Sequence, residues 1–204
     1  WRHDVDFSPQ SALAMAKIEH CEDIRASYYF MLQSDFYNLF EPAVITILRS
    51  IKAMGHEVGL HFDASQYDIS STEALETALT NEKNAFESII GISINSFSFH
   101  NPTQETFKFK NFAYAGLVNA YNSELIEQFQ YCSDSNGYWR FIPMEEFLVQ
   151  NYPKIYVLTH PVWWQDTVLS PRERIVRSIE GRARATLEQY DKLLELNGRE
   201  NISE

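Results

Sequence analysis

Residues 26–32 read ASYYFML, and this apolar run predicts a strand buried on both faces, because no polar residue alternates with the apolar ones after Ser27. Helical signals flank the run on both sides. Ser8 and Pro9 are typical of the first positions of a helix, and Pro42 begins a second segment whose apolar residues keep helical spacing. A buried strand between two helices is typical of a β-α-β unit, whose strands run parallel.

The same alternation continues along the rest of the chain. Strands are expected at residues 1–5, 26–32, 57–63, 94–99, 117–121, 130–133 and 155–159. Glycines 55 and 91 are expected to end helices, and Ser70 with Glu73 forms a capping-box pattern at the start of the third long helix. Ser170 and Pro171 begin a last helix that runs to about residue 196. Seven strands separated mostly by helices predict one α/β domain over residues 1–204, with a parallel sheet that is either open or closed into a barrel.

The charge balance and cysteine content exclude several classes of protein. Among 204 residues, 17 Lys and Arg face 28 Asp and Glu, and a net charge of −11 disfavours nucleic-acid or membrane-surface binding. No apolar run approaches the ~18 residues of a membrane span. Cys21 and Cys132 belong to no CxxC pattern, so neither a disulfide framework nor structural zinc is expected, and reduced thiols favour a cytoplasmic location. Since residue 1 is Trp rather than Met, we expect further sequence upstream.

Chemically useful side chains collect near the carboxyl ends of the predicted strands. Four of the six histidines lie there: His3, His61, His100 and His160. Because the carboxyl ends of parallel strands meet at one rim, we expect Asp4, Asp6, His61, His100 and His160 to surround one open cleft.

The spacing of the acidic residues suggests a metal site. Asp4 and Asp6 are two residues apart, so they project from one face of an extended segment, and His61 and Asp63 do the same. Two close carboxylates repel each other unless a cation lies beside them, which indicates a general base next to a metal ligand. Imidazole and carboxylate ligands suit zinc or a similar divalent ion. An activated water would then attack an amide or ester carbonyl, and His160 could protonate the leaving group.

At these residues the chain resembles the polysaccharide deacetylase superfamily, the NodB-homology fold of carbohydrate esterases. The resemblance is carried by RHDVD at 2–6, GHEVGLHFD at 55–63, SFSFHNP at 96–102 and IYVLTHPVWW at 155–164, and it covers nearly the whole chain as a divergent branch. It implies a distorted parallel (β/α)7-type barrel, which is TIM-barrel-like. It also implies that Asp4 is the catalytic base and Asp6 a metal ligand.

The chain departs from the pattern of that family at three points. His61 matches the first of a histidine pair, but Ser65 stands at the second position. His100 replaces an arginine that orients the base, and we expect it to restore a third metal ligand beside Asp6 and His61, with zinc as the first choice of ion. The acidic and tryptophan positions of another motif are met only loosely, by Asp134 and Trp139. The residues expected to bind substrate are Asp63, Asp134, Trp139, Trp163 and Trp164, and Asp63 could instead give the metal an oxygen ligand.

The resemblance implies a metal-dependent hydrolase that removes an N- or O-acyl group from a sugar in surface-polysaccharide biosynthesis. Its partner would be an acylated sugar or glycan intermediate. The alternative is a deacetylase-like protein that has lost catalysis and binds a glycan or a partner of the same pathway. Trp163 and Trp164 have two interpretations, core or subunit packing and a platform for a sugar ring. His56 is expected to serve structure, by bonding local backbone after the glycine that ends the second helix.

Overall fold

The computed structural model describes residues 1–202 and divides the chain into two compact units, Trp1–Asp166 and a second unit that begins at Thr167. The expectation of one domain over residues 1–204 stays a prediction.

The first unit contains the strands and the five helices that surround them. Its strands are β1 (Arg2–Val5), β2 (Ser27–Phe30), β3 (Glu57–Phe62), β4 (Ser96–Phe99), β5 (Ala113–Tyr114), β6 (Leu117–Asn119), β7 (Gln130–Ser135), β8 (Tyr138–Trp139) and β9 (Ile155–Thr159). Its α-helices are α1 (Pro9–Cys21), α2 (Pro42–Ala53), α3 (Thr72–Ile90), α4 (Ser123–Gln128) and α5 (Met144–Val149).

The strands of the described residues form one sheet in the order β5-β6-β4-β3-β2-β1-β9-β7-β8. Neighbours from β6 to β7 run parallel, which gives seven parallel strands, and this confirms the predicted α/β class with seven β/α-type units. Among the described residues β6 and β7 do not pair through their backbones; the Tyr156 hydroxyl of β9 donates to the carbonyl of Ala120, just after β6, at 2.9 Å. An open hydrogen-bond ladder at this point does not exclude a barrel.

Two short hairpins that we did not predict add the edge strands β5 and β8. In each, the two turn residues have positive φ: Ala115 and Gly116 before β6, and Asn136 and Gly137 before β8. Positive φ at both central positions matches the right-handed twist of the paired strands, which is why Asn-Gly is a strong hairpin signal.

The helices pack their apolar faces on the sheet. In α2 the buried residues are Val44, Ile47, Leu48 and Ile51, at the helical spacing seen in the sequence. Burying side chains of this size contributes ~1.5–3 kcal/mol each. The start of α3 differs by one residue from the prediction: the hydroxyl of Ser71, not that of Ser70, accepts from the backbone N–H of Ala74. Either serine fits the local pattern, and the path of the preceding loop decides between them.

The second unit contains one α-helix in the residues described, α6 (Pro171–Leu196), which matches the predicted range. Its N-terminus has a complete capping box. Ser170 accepts from the backbone of Glu173, and the Glu173 carboxylate accepts from the backbone of Ser170. Among residues 1–202, no helix is long and apolar enough to cross a membrane.

Candidate metal centre and active site

The candidate site lies where four parallel strands end. Asp6 follows β1, His61 is the fifth residue of β3, His100 follows β4, and His160 follows β9. Parallel strands in one sheet direct their carboxyl ends to the same edge, so residues that are far apart in the chain meet there.

Asp6, His61 and His100 form a compact triad of potential ligand atoms. His61 Nε2 lies 3.1 Å from Asp6 Oδ1 and 3.2 Å from His100 Nδ1, and His100 Nδ1 lies 3.6 Å from Asp6 Oδ1. Asp6 Oδ1 is buried and has no hydrogen-bond partner among the described residues, although His61 Nε2 is near. A buried carboxylate oxygen without a hydrogen bond costs free energy unless another group, such as a cation, satisfies it.

The triad fits a divalent cation. In a tetrahedral site with bonds of 2.0–2.1 Å, ligand atoms are about 3.3 Å apart, close to the three separations observed. Two imidazoles and one carboxylate oxygen are ligands that zinc and the neighbouring transition metals bind. We conclude that the residues present can hold such an ion. They do not distinguish zinc from its neighbours.

Within the triad, Asp6 and His100 shift each other's pKa values. Burial would raise the pKa of Asp6, but His100 and His61 outweigh it and lower the pKa well below its usual range. Burial would lower the pKa of His100, but Asp6 and then Asp63 raise it above its usual value. The carboxylate of Asp6 is therefore ionised, as a metal ligand must be.

His160 and Asp134 form a second functional pair beside the triad. His160 Nδ1 lies 2.6 Å from Asp134 Oδ1, and the backbone N–H of His160 donates to the same oxygen at 3.0 Å. The other oxygen, Asp134 Oδ2, accepts from Trp164 Nε1 at 2.9 Å. This arrangement turns His160 Nε2 toward the triad, where it lies 3.7 Å from Asp6 Oδ2. Burial lowers the pKa of His160, but Asp134, Asp6 and Asp4 outweigh burial and raise it to about 9.

Asp4 lies one layer below the triad, and Arg2 holds its carboxylate. Arg2 Nε donates to Asp4 Oδ1 at 2.9 Å and Arg2 Nη2 donates to Asp4 Oδ2 at 2.5 Å. Asp4 Oδ2 is also 3.7 Å from His61 Nε2, so this ring nitrogen lies near both Asp4 and Asp6. Burial would raise the pKa of Asp4, but the charge of Arg2, followed by that of His61, lowers it.

Arg2 is itself fixed by aromatic side chains from two strands and a loop. Its guanidinium lies 4.4 Å from the ring centre of Tyr121 and 5.6 Å from that of Tyr29, and it donates to the hydroxyls of Tyr121 and Tyr156. Arg2 also donates to Ser98 Oγ. With 1% of its surface exposed, Arg2 is a buried cation with a fixed orientation. Its charge is neutralised by Asp4, and the buried ion pair lies below the triad.

Asp6 and His100 of the triad, together with His160, border an open cleft of about 530 Å³. One wall is aromatic: Phe7 packs on Phe36 with ring centres 4.4 Å apart and meets the edge of Trp163 at 5.8 Å. The other wall is polar. The residues that line the cleft are Asp6, Phe7, Met31, Gln33, Ser34, Asp35, Phe36, Asp63, Gln66, His100, Asn101, Ser135, Asn136, His160 and Trp163. A cleft with an apolar wall and a polar wall can receive a sugar ring, which has faces of both kinds.

The expected convergence of five side chains is confirmed: Asp4, Asp6, His61, His100 and His160 lie together. They do not all surround the cleft as expected: Asp6, His100 and His160 line it, whereas the buried Asp4 and His61 are not among its lining residues. The roles assigned to these residues stay predictions.

The predicted substrate-binding residues have different positions. Asp63 lines the cleft, and its carboxylate also accepts from the backbone of Ser65 and from Gln66. Trp163 lines the cleft and is 8% exposed, so it serves packing and the aromatic wall together. Trp164 is 39% exposed and meets Trp139 at a ring distance of 5.9 Å. Asp134 faces His160 instead of the cleft.

Two of the histidines in the quoted motifs serve structure. His3 points to the other side of β1, where it contacts Thr159 Oγ1 at 2.6 Å and Glu19 Oε1 at 2.7 Å, so it does not join the rim at which the sequence placed it. Successive residues of a strand point to opposite faces, and His3 therefore cannot face the same way as Asp4. His56 contacts the carbonyl of Ala16 and the backbone N–H of Ala26, so it serves structure as expected, but these partners are 40 and 30 residues away in the chain instead of in the local backbone.

Sequence reasoning missed Arg2 and the pairing of Asp134 with His160. The position of Arg2 had a signal, because residues 2, 4 and 6 of one strand share a face. The pairing of Asp134 with His160 had no such local signal. These residues are 26 apart in the chain and meet only because β7 pairs with β9.

No protein-family model matches the sequence, and no curated protein matches it in sequence. Solved structures with a similar path include a chitin deacetylase from the fungus Colletotrichum lindemuthianum, at 15% identity, with 88% of this chain and 80% of that chain covered and a TM-score of 0.48. A family 4 acetyl xylan esterase from Clostridium thermocellum, in complex with a cobalt ion, is 14% identical, with coverages of 98% and 92% and a TM-score of 0.47.

A third match is a family 4 pseudoenzyme from Bacillus anthracis, at 10% identity and a TM-score of 0.47, with 91% of this chain and 59% of that chain covered. Likeness at these values concerns the fold alone and carries no inference about the activity of this chain.

Proposed function

We propose that this protein is a divalent-metal-dependent hydrolase that removes an N- or O-acyl group from a sugar in surface-polysaccharide biosynthesis. The observation that carries the proposal is the position of the Asp6–His61–His100 triad next to the His160–Asp134 pair at one cleft. A cation held by the triad would supply Lewis-acid polarisation of the acyl carbonyl.

His160 is the group that protonates the departing amine or alcohol. It lines the cleft, and its Nε2 faces the triad while Asp134 accepts from Nδ1. A carboxylate behind an imidazole fixes the tautomer and stabilises the imidazolium form, so the outer nitrogen carries the proton to be donated. Trp164 holds the second oxygen of Asp134 and keeps the carboxylate in the plane of this contact.

Asp4 is the general base of this proposal, as the family resemblance implies. Arg2 keeps the carboxylate ionised and fixes its direction, and His61 Nε2 lies 3.7 Å from Asp4 Oδ2. A base must be ionised before it can accept the proton of the attacking water. A carboxylate that is already fixed loses little entropy when it accepts that proton.

The acyl sugar would lie between the aromatic wall and the polar wall. The lining includes no Lys or Arg among the described residues, and it includes Asp6, Asp35 and Asp63. This favours a sugar without a phosphate or carboxylate group near the three lining aspartates, because they would repel such a group and no Lys or Arg of the described lining would pair with it.

A second candidate is a glycan-binding protein without catalytic activity. It is favoured by the position of Asp4, which does not line the cleft and has both oxygens engaged by Arg2. In that case the cleft and its aromatic wall would bind the sugar, and no acyl group would be released.

The experiment that tests the proposal combines metal content with acyl release. Protein purified without chelator is analysed for divalent ions, titrated with Zn²⁺, Co²⁺ and Mn²⁺, and assayed for acetate release from N- and O-acetylated sugars. We expect a stoichiometric ion and turnover in the wild type, and loss of both in His61→Ala and His100→Ala. His20→Ala, a change at an exposed histidine of α1, is the matched control and should keep both. Thermal melts show that each variant is folded.

The outcomes separate the two candidates. Binding of a sugar without acyl release under saturating metal supports the glycan-binding protein. A wild type that holds no divalent ion after addition of all three metals contradicts the proposed hydrolase.

A further inference from the structure

The two histidines of the triad differ in what holds the ring nitrogen that faces away from it. His61 is buried, and its Nδ1 has no hydrogen-bond partner among the described residues. His100 Nε2, in contrast, lies 2.8 Å from the side-chain amide of Asn101, the next residue in the chain. Asn101 also lines the cleft. Of the two histidines, only His100 therefore has a side-chain amide, that of Asn101, at the ring nitrogen that faces away from the proposed metal.

That contact determines which nitrogen of His100 carries the proton. A neutral imidazole has one N–H and one lone pair, and a cation requires the lone pair on the atom that faces it. The atom that faces Asp6 and His61 is Nδ1, at 3.6 and 3.2 Å. Nδ1 can bind a cation only if the proton lies on Nε2, and the proton on Nε2 then needs an acceptor.

Asn101 can supply either partner. When its Nδ2 donates to His100 Nε2, the ring proton lies on Nδ1, and the lone pair that a cation needs is absent. When the amide turns by 180°, Oδ1 takes the same place, accepts from Nε2–H and leaves the lone pair on Nδ1. The two orientations fill the same volume, because amide oxygen and nitrogen are nearly equal in size.

The backbone of Asn101 allows its short side chain to fold back on its neighbour. Its φ is 43°, in the left-handed region that asparagine enters more readily than most residues other than glycine. Glycine at this position would keep the backbone and remove the amide, which makes it possible to separate the two contributions.

We propose that Asn101 is a positioning residue that fixes the tautomer of His100 and thereby sets the affinity of the triad for a divalent cation. This inference rests on the metal site of the proposed function. Asn101 does not touch the cation. Its amide oxygen accepts the Nε2 proton, so Nδ1 presents a lone pair to the cation.

The test measures Co²⁺ affinity by visible absorption in the wild type, Asn101→Gly, Asn101→Asp and the control Asn151→Gly. Asn151 also has a left-handed backbone, with φ 52°, but follows α5 and is not among the residues that line the cleft. We expect Asn101→Gly to lose ~10–100-fold in Co²⁺ affinity, the usual effect of removing the partner of a ligating histidine. Asn101→Asp keeps an acceptor oxygen and should retain the wild-type affinity or exceed it. Asn151→Gly should not change it.

A second readout distinguishes positioning from a structural role. Long-range ¹H–¹⁵N spectra of the zinc-loaded protein report which ring nitrogen of His100 carries the proton. We expect the Nε2–H tautomer in the wild type and a mixture or a weaker signal in Asn101→Gly, with equal melting temperatures. If Asn101→Gly binds Co²⁺ as tightly as the wild type, or if Asn101→Asp loses as much affinity as Asn101→Gly, the inference is wrong. If the wild type itself binds no cation, both this inference and the proposed function are wrong.

Discussion

At the scale of single residues, the orientation of His160 depends on Asp134. The imidazole and the backbone N–H of His160 both contact Asp134 Oδ1, and the indole of Trp164 donates to Oδ2. Both oxygens of the carboxylate are thus engaged, and the carboxylate has little freedom to turn. Replacing one oxygen by an amide NH₂ would disturb either the contact to Trp164 or the contact to His160.

We predict that Asp134→Asn lowers turnover by ~10²–10⁴-fold, the usual loss when a positioned acid–base group is misdirected. Cation affinity should stay at the wild-type value, because Asp134 contacts none of the triad residues in the interactions described. Turnover of an acetylated sugar and Co²⁺ titration measure the two effects. Trp164→Phe keeps an aromatic ring and removes only the N–H, so its loss should be smaller. A variant Asp134→Asn with wild-type turnover would exclude this role.

The buried pair of Arg2 and Asp4 has a consequence for stability. Arg2 is 1% and Asp4 is 2% exposed, so removing the charge of one leaves the other without a counter-ion inside the protein. Breaking a buried ion pair in this way costs about 3–5 kcal/mol, whereas replacing both partners is much less harmful.

We therefore predict that Asp4→Asn lowers the free energy of unfolding by about 3 kcal/mol or more. The double variant with Arg2→Met should recover a large part of the loss. Urea denaturation of the wild type, both single variants and the double variant measures the coupling. Equal stabilities of Asp4→Asn and the double variant would show that the ion pair does not account for the loss. Turnover of Asp4→Asn is interpretable only under conditions in which the variant is folded.

At the scale of elements, α3 carries a carboxyl group into the protein interior. Glu82 is 4% exposed, and its Oε1 accepts from the Tyr67 hydroxyl at 2.6 Å. Burial, the largest influence, raises the pKa of Glu82 and the hydrogen bond from Tyr67 lowers it; with the charge of Asp63, which also raises it, the pKa is about 7. The folded protein therefore keeps the proton of Glu82 at a pH where the unfolded chain has lost it.

The sign of the pH dependence follows from that difference. Between the ordinary value of 4.5 and about 7, the folded state binds more protons than the unfolded state, so stability falls as pH rises. The full difference corresponds to about 3 kcal/mol. We predict that Glu82→Gln, which keeps an acceptor for Tyr67, removes this loss: its stability relative to the wild type should increase from pH 5 to pH 8. Urea denaturation at the two pH values measures it.

The matched control for that prediction is Glu76→Gln, at an exposed position of the same helix. It removes an equal charge from α3 and should not change the pH dependence. A wild type and a Glu82→Gln variant with parallel stability profiles from pH 5 to 8 would show that Glu82 ionises normally in the folded protein.

At the scale of the whole molecule, the charge of the chain and the charge of the cleft have the same sign. The net charge is −11, and Asp6, Asp35 and Asp63 line the cleft together with no Lys or Arg among the residues described. The field of the molecule therefore repels anions before they reach the site, and no Lys or Arg of the described lining offsets that repulsion.

We predict that an acetylated sugar with a phosphate group is a poorer substrate than the same sugar without it. The kcat/KM of the phosphorylated compound should rise with added salt, because salt screens the repulsion over a Debye length of ~8–10 Å, whereas that of the neutral sugar should change little. Initial rates from low to high NaCl measure both. A phosphorylated substrate that is preferred at low salt would contradict the electrostatic picture of the cleft.

The sequence by itself determined the features that depend on neighbouring residues. The periodicities of residues 26–32 and 155–159 predict strands, and Ser170 predicts the start of α6, because local hydrogen bonds and side-chain spacing decide these elements. The collection of His61, His100 and His160 at one rim was also predictable, since parallel strands leave their carboxyl ends on the same side. A hairpin at Asn136 had a sequence signal that we did not use.

Only the tertiary structure decided which side chains touch. Asp134 faces His160 because β7 pairs with β9 in one register, and a shift by one residue would turn it to the opposite face. The cage around Arg2 brings together Tyr29, Tyr121 and Tyr156, which are far apart in the chain. Such contacts depend on strand order and register across the whole sheet, and these are fixed by the burial of many residues at once. No local pattern in the sequence records them.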